Sequence, residues 1–210
     1  MKNLKTYLSI LFVSCFLISN IVSAKQCTLP FGLSMTGAIT VFPITYILSD
    51  VFSEVYGYKW SRITCYTAFF MNLLMVIVFQ IAIVLPGAPY WERQEAFKAT
   101  LGSTPRILLA SLAAYVFGDF INDKIFAKMK AKHKNEIKGF SSRAILSSLI
   151  GEICDSLVFM PLAFWGQIPP KQLAIMGATQ TALKVAYEIL VLPLTRICAK
   201  KVQEKENVNV

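Results

Sequence analysis

The sequence predicts an all-α integral membrane protein, a six-transmembrane-helix bundle with a proline-broken second span. Three observations predict it. Of the 210 residues 55% are hydrophobic and only 16% are charged, against about 25% charged in soluble domains, and the mean hydropathy is +0.55. The apolar residues gather into six stretches close to the length of about 20 residues that crosses a bilayer. The basic residues, which give a net charge of +9, collect between those stretches and not along one aromatic-studded stripe. They therefore read as signals of membrane topology. A lipid bilayer is the expected partner, and no direct contact with nucleic acid is expected.

The first span is read at Leu4 to Ala24. "MKNLK", the apolar run after it and "VSA" before Lys25 also fit a cleavable signal peptide. The apolar run is longer than a usual signal core, and its loss would leave five spans with the two chain ends on opposite sides, so retention is expected. The second span, Gly32 to Leu48, is short and holds Pro43. Proline lacks a backbone N–H and disfavours helix at the residue before it, here Phe42, so a break is expected inside this span, beside protein or a wet cavity. The remaining spans are read at Ile63 to Leu85, Arg106 to Phe126, Ala144 to Trp165 and Leu173 to Thr195.

Six spans place both termini on one side, and the excess of lysine and arginine selects the cytoplasm. Lys2, Lys5, Lys59, Arg62, the cluster from Lys124 through Arg143, and Arg196, Lys200, Lys201 and Lys205 then face inward, leaving only Lys25, Arg93, Lys98, Arg106 and Lys171 outside. The outer loop "GAPYWERQEAFKATLGSTP" is amphipathic and aromatic. It reads as a segment on the membrane surface, a lid over an outer entrance, or a plain surface loop. No repeat or linker divides the chain, which is taken as one domain over residues 1–202 with a polar cytoplasmic tail over 203–210.

Cys15, Cys27, Cys65, Cys154 and Cys198 are scattered singly and fall mostly in apolar runs, so they read as small hydrophobic residues. The one histidine, His133, lies in the basic run "KMKAKHKNEIK". No metal site and no cofactor are expected. With no histidine in a span, no G-x-S-x-G elbow and no metal-ligand set, an intramembrane enzyme is the weakest functional class.

The charges inside the spans are the informative residues. An ionisable side chain near the bilayer centre costs about 2.5–3.5 kcal/mol on insertion scales, so it is kept where it faces protein or a wet cavity. Span four carries Asp119, Asn122 and Asp123 in "GDFIND", span five Glu152 and Asp155 in "GEICDS", and span six Lys184 and Glu188 in "KVAYE". Residues three or four apart share a helical face, which aligns Asp119 with Asp123, Glu152 with Asp155, and Lys184 with Glu188. Asp50 and Glu54 align in the same way after span two, with Tyr46 one turn earlier. Interhelical hydrogen bonding explains one or two such residues. It explains poorly a set in which acids outnumber the one intramembrane base, so a solute site is expected.

The solute chemistry follows from the donors and acceptors. Carboxylates accept from N–H groups, Lys184 and Asn122 donate, and Tyr115, Phe159, Trp165 and Tyr187 offer flat faces. A small, planar, N–H-rich molecule with purine-like edges suits them, although an amine or a metal cation would also be drawn to surplus acids. A small-residue row, Ala110, Ala114 and Gly118, lets helices approach closely. Its default use is packing inside the bundle, with a homo-oligomer interface as the other.

The runs "TGAITVFPITYILSDVFSEVYGYKWSR", "FGDFINDKIF", "SSRAILSSLIGEICDSLVFMPLAF" and "LKVAYEILVLPLTR" resemble the queuosine precursor transporter family, within the vitamin uptake transporter group. The resemblance extends from about Asn20 to Arg196. It implies a six-helix bundle in the bacterial cytoplasmic membrane, related to the substrate-binding components of energy-coupling-factor transporters. It also implies import of 7-cyano-7-deazaguanine, 7-aminomethyl-7-deazaguanine or queuine for salvage into transfer RNA modification. The positions matching the family pattern are Asn20, Lys25, Pro43, Tyr46, Asp50, Glu54, Tyr56, Gly57, Arg62, Asp123, Arg143, Asp155, Lys184, Glu188 and Pro193. The resemblance thus adds Arg143 to the candidate site, while Asp119 and Glu152 stand where many members carry glutamine. The alternative within the same chemistry is a binding subunit for another N–H-rich heterocycle or vitamin that needs an energising partner.

Overall fold

Helix dominates because the apolar runs are long and because hydrocarbon forces every backbone N–H and C=O to find its partner within the segment. A computed structural model of the chain describes residues 4–132 and 140–207, without the side chains at 42–43, 119–120, 122–132, 140–149, 188, 192, 195–196, 199 and 205–207. Its helices are α1 (Leu4–Val22), α2 (Phe42–Val51), α3 (Tyr58–Val84), α4 (Gln94–Leu101), α5 (Thr104–Lys132), α6 (Phe140–Phe164) and α7 (Pro170–Asn207). Among the described residues three stretches are long and apolar enough to cross a membrane: Leu4–Val22, Tyr58–Val84 and Gln94–Gly118. The chain is thus mostly helical and built for a membrane. α7 alone is about 57 Å long, nearly twice the hydrocarbon thickness, so the polar residues from Gln203 to Asn207 continue it as helix.

The second expected span is where sequence and structure differ. Gly32–Thr40 is not membrane helix. A two-stranded ribbon, β1 (Gln26–Thr28) with β2 (Ser34–Thr36), leads through a 3-10 turn at Gly37–Thr40 into α2. Pro43 does not break a helix: it stands in the first turn of α2, whose N-cap is Val41. A first-turn N–H has no intrahelical acceptor to lose, and the fixed φ of proline already suits a helix, so this position tolerates it. The irregular backbone lies before the proline and again after α2, where Phe52–Tyr56 form a π turn. Gly57 then links to α3 with φ 82° and ψ 160°, a conformation open essentially to glycine alone.

The described residues fall into two compact units, which are taken in turn. The first comprises 4–27, 36–108 and 186–207, and the second 28–35, 109–132 and 140–185. In the first, α1 buries Phe12, Cys15, Ser19 and Asn20. Phe12 joins Leu48, Phe52 and Ala68 in a core flanked by Leu8, Val13, Phe16, Tyr56 and Trp60. Phe12 meets Phe52 edge-on at 5.8 Å, and Phe16 meets Phe69 at 5.0 Å. Lys5 holds its ammonium 3.6 Å from the centre of the Trp60 ring, while Trp60 Nε1 donates to Ser9 Oγ at 3.3 Å. The segment between α3 and α5 folds around α4: Trp91 Nε1 donates to Gln94 Oε1, and Gln94 Nε2 donates to the carbonyl of Ile83 at 2.8 Å.

In the second unit the small residues of α5 are buried, Ala110 and Ala114 almost completely. A methyl group on Gly118 would lie 3.1 Å from the carbonyl oxygen of Gly151 and 3.2 Å from Asp155 Cβ. Glycine therefore lets the backbones of α5 and α6 approach. α6 and α7 are joined by a tight turn at Trp165 to Pro169, and Phe159 packs edge-to-face on Phe164 at 5.9 Å.

Candidate functional site

Two candidate residues meet in the second unit. Asp155 lies on α6, next to the close approach at Gly118, and Lys184 lies on α7. Lys184 Nζ donates to Asp155 Oδ2 at 2.8 Å. The two side chains are unequally enclosed, 8% exposed for the lysine and 29% for the aspartate. The ammonium is therefore sealed, whereas the carboxylate keeps an open side that can accept from another N–H donor. Glu152, one turn before Asp155, is half-buried with Oε2 enclosed. Asp155 thus accompanies Lys184, the one buried charged side chain among the described residues, and Glu152 lies on the same face of α6. A buried pair of this kind is costly to desolvate, which makes it weak as a stabilising device and better suited to recognition or switching.

In the first unit Tyr46 is half-buried on α2, while Asp50 and Glu54 are exposed, at the end of α2 and in the π turn. The neighbouring Arg62 stacks its guanidinium 4.8 Å from the Tyr58 ring centre and donates Nε to Tyr58 Oη at 2.7 Å. The side chains of Asp119, Asn122, Asp123, Arg143 and Glu188 lie outside the described residues. Of the flat faces expected near a solute, Phe159 is spent on core packing against Phe164, and Trp165 and Tyr187 are exposed. Among the described residues no group of three or more His, Cys, Asp or Glu is placed to hold a metal ion.

The profile of the family described as "Putative vitamin uptake transporter" matches residues 36–198. That range takes in every candidate residue named above. The chain belongs to the vitamin uptake transporter family. A relative from Bacillus subtilis (strain 168), named "Probable queuosine precursor transporter", is 22% identical over 182 residues, covering 84% of this chain and 76% of the relative. No solved structure matches the chain.

For a member of the vitamin uptake transporter family, two buried amides besides Asn20 stand out that carry no charge. Gln180 is 2% exposed and lies one helical turn before Lys184, on the same face of α7. Asn72 is fully enclosed in the middle of α3. Their signal in the sequence is a single uncharged amide inside an apolar run, as in "FFMNLLMV".

Proposed function

We propose that this chain imports queuosine precursors, 7-deazaguanine bases such as 7-cyano-7-deazaguanine, 7-aminomethyl-7-deazaguanine or queuine, for salvage into transfer RNA modification. It does so as a six-span protein of the bacterial cytoplasmic membrane with both termini in the cytoplasm, and it catalyses no covalent chemistry. Membership of the vitamin uptake transporter family and the likeness to the Bacillus subtilis protein support the reading. The observation that carries it is the sealed Lys184 held against a half-open Asp155 within apolar helices.

A deazaguanine ring presents adjacent N–H donors, which the open side of Asp155 can accept, and a carbonyl and ring nitrogens, to which ammonium and amide groups can donate. Within this proposal the solute-facing residues of the second unit are Glu152, Asp155 and Lys184, with Asp119, Asn122, Asp123 and Arg143 added from the sequence. Those of the first are Tyr46, Asp50, Glu54 and Glu188.

The experiment is uptake of labelled 7-aminomethyl-7-deazaguanine into cells that cannot synthesise it, with and without this chain. Equal uptake in the two strains would end the proposal.

A further inference from the structure

Among the described residues Asn72 is the one side chain with two polar atoms enclosed and unpartnered. It stands fourteen residues from Tyr58 and twelve from Val84 on α3, or about 21 Å and 18 Å along the helix. That is the middle of the most apolar of the three long stretches. It is fully buried, yet among the described residues neither Nδ2 nor Oδ1 has a hydrogen-bond partner. Asn72 belongs to the ridge of α3 that recurs every fourth residue through Thr64, Ala68 and Val76. Thr64 Oγ1 and Gln80 Nε2, on the same ridge, are likewise enclosed without partners.

The adjoining helix does not supply the missing bonds. The pairs Lys5 with Trp60 and Phe16 with Phe69 show that α1 and α3 run in the same direction. Ser19 and Asn20 therefore come at about the level of Asn72. Both turn onto their own backbone instead: Ser19 Oγ donates to the carbonyl of Phe16 at 2.8 Å, and Asn20 Nδ2 donates to the same oxygen at 3.0 Å. An amide with both ends unmet at this depth is among the costliest neutral groups a membrane helix can carry, and no described residue meets either end, so it stands ready for a partner such as a bound solute.

We infer that Asn72 is a binding residue for the transported solute, an assignment that rests on the reading of the chain as a transporter. The amide takes the edge of a neutral planar molecule that presents a donor and an acceptor side by side, as a lactam or amidine does. Oδ1 accepts from the ring N–H while Nδ2 donates to the adjacent carbonyl or ring nitrogen. Side-chain amides read the edge of adenine by the same two-point contact. The buried residues of α3 carry no charge, so this position selects by the order of donor and acceptor and adds nothing for a simple cation.

The test is calorimetric binding to the purified full chain and to Asn72→Leu, each also followed by thermal melting. The panel is 7-aminomethyl-7-deazaguanine, guanine, uracil and nicotinamide, with ethylammonium as a cation lacking the edge. The expected result is that Asn72→Leu melts at or above the wild-type temperature and binds the preferred planar ligand at least tenfold more weakly. Asn72→Gln should recover part of the affinity. Wild-type binding of another panel base but of no deazaguanine would keep Asn72 and remove the queuosine-precursor reading. Two results overturn the inference: affinity of Asn72→Leu within twofold of wild type, which leaves the amide to a water molecule, or no wild-type binding to any planar ligand of the panel.

Discussion

Lys184 Nζ and Asp155 Oδ2 meet at 2.8 Å across α6 and α7, with the lysine side chain 8% and the aspartate 29% exposed. Removing one partner of a buried pair strands the other, at a cost of about 3–5 kcal/mol. Asp155→Asn and Lys184→Ala should each lower the melting temperature of the purified protein. The double variant Asp155→Leu with Lys184→Met should regain much of that stability without regaining uptake. A double variant that transports normally would show the pair to be structural alone.

At the contact of α5 with α6, Gly118→Ala would place a methyl group 3.1 Å from the oxygen of Gly151 and 3.2 Å from Asp155 Cβ. Helical backbone yields poorly, so overpacking should destabilise by about 1–3 kcal/mol. Gly118→Leu should prevent stable accumulation in the membrane. Thermal melting of Gly118→Ala in detergent reads the first effect and the yield of inserted protein reads the second.

Gly57 carries φ 82° and ψ 160° between the π turn and α3. Nothing lies within 4 Å of the position a methyl group would take, so the penalty for Gly57→Ala is conformational and not steric crowding. It should be about 1–3 kcal/mol. Proteolysis of native membranes should show faster cleavage near residues 52–60 in this variant, and unchanged cleavage would argue that the link adopts another conformation.

Pro43 leads to the opposite expectation. Because it occupies the first turn of α2, Pro43→Ala removes no strain and breaks no hydrogen bond, and should change stability by less than about 1 kcal/mol. A loss of several kcal/mol in melting experiments would mean that the helix begins elsewhere.

The long apolar helices were legible from length and hydropathy, because hydrocarbon imposes both on any helix that crosses it, and three stretches meet that measure among the described residues. α1, α3 and α6 begin and end within about five residues of the expected limits. The second expected span differs because its apolar residues run through two conformations. Ribbon and 3-10 turn precede Val41, and the hydropathy of "GLSMTGAIT" does not distinguish them from helix.

At the candidate site, charge in an apolar run pointed to Asp155 and Lys184, and the structure joins them. Spacing alone could not show this, since the partners are 29 residues apart on different helices. Asn72 and Gln180 carry no charge, so ionisable residues in apolar runs do not point to them, although a buried amide also needs hydrogen-bond partners.

The contacts of α1 also set the order in which the first unit can be assembled. Its partner for Ser9 is Trp60, 51 residues later, and Phe16 waits for Phe69. At roughly 5–20 residues per second of synthesis, α1 leaves the ribosome about 3–10 s before the helix it packs against. Before α3 emerges the aromatic face of α1 has Leu48 and Phe52 to pack on, and a truncation upstream of Trp60 leaves the newborn helix without α3.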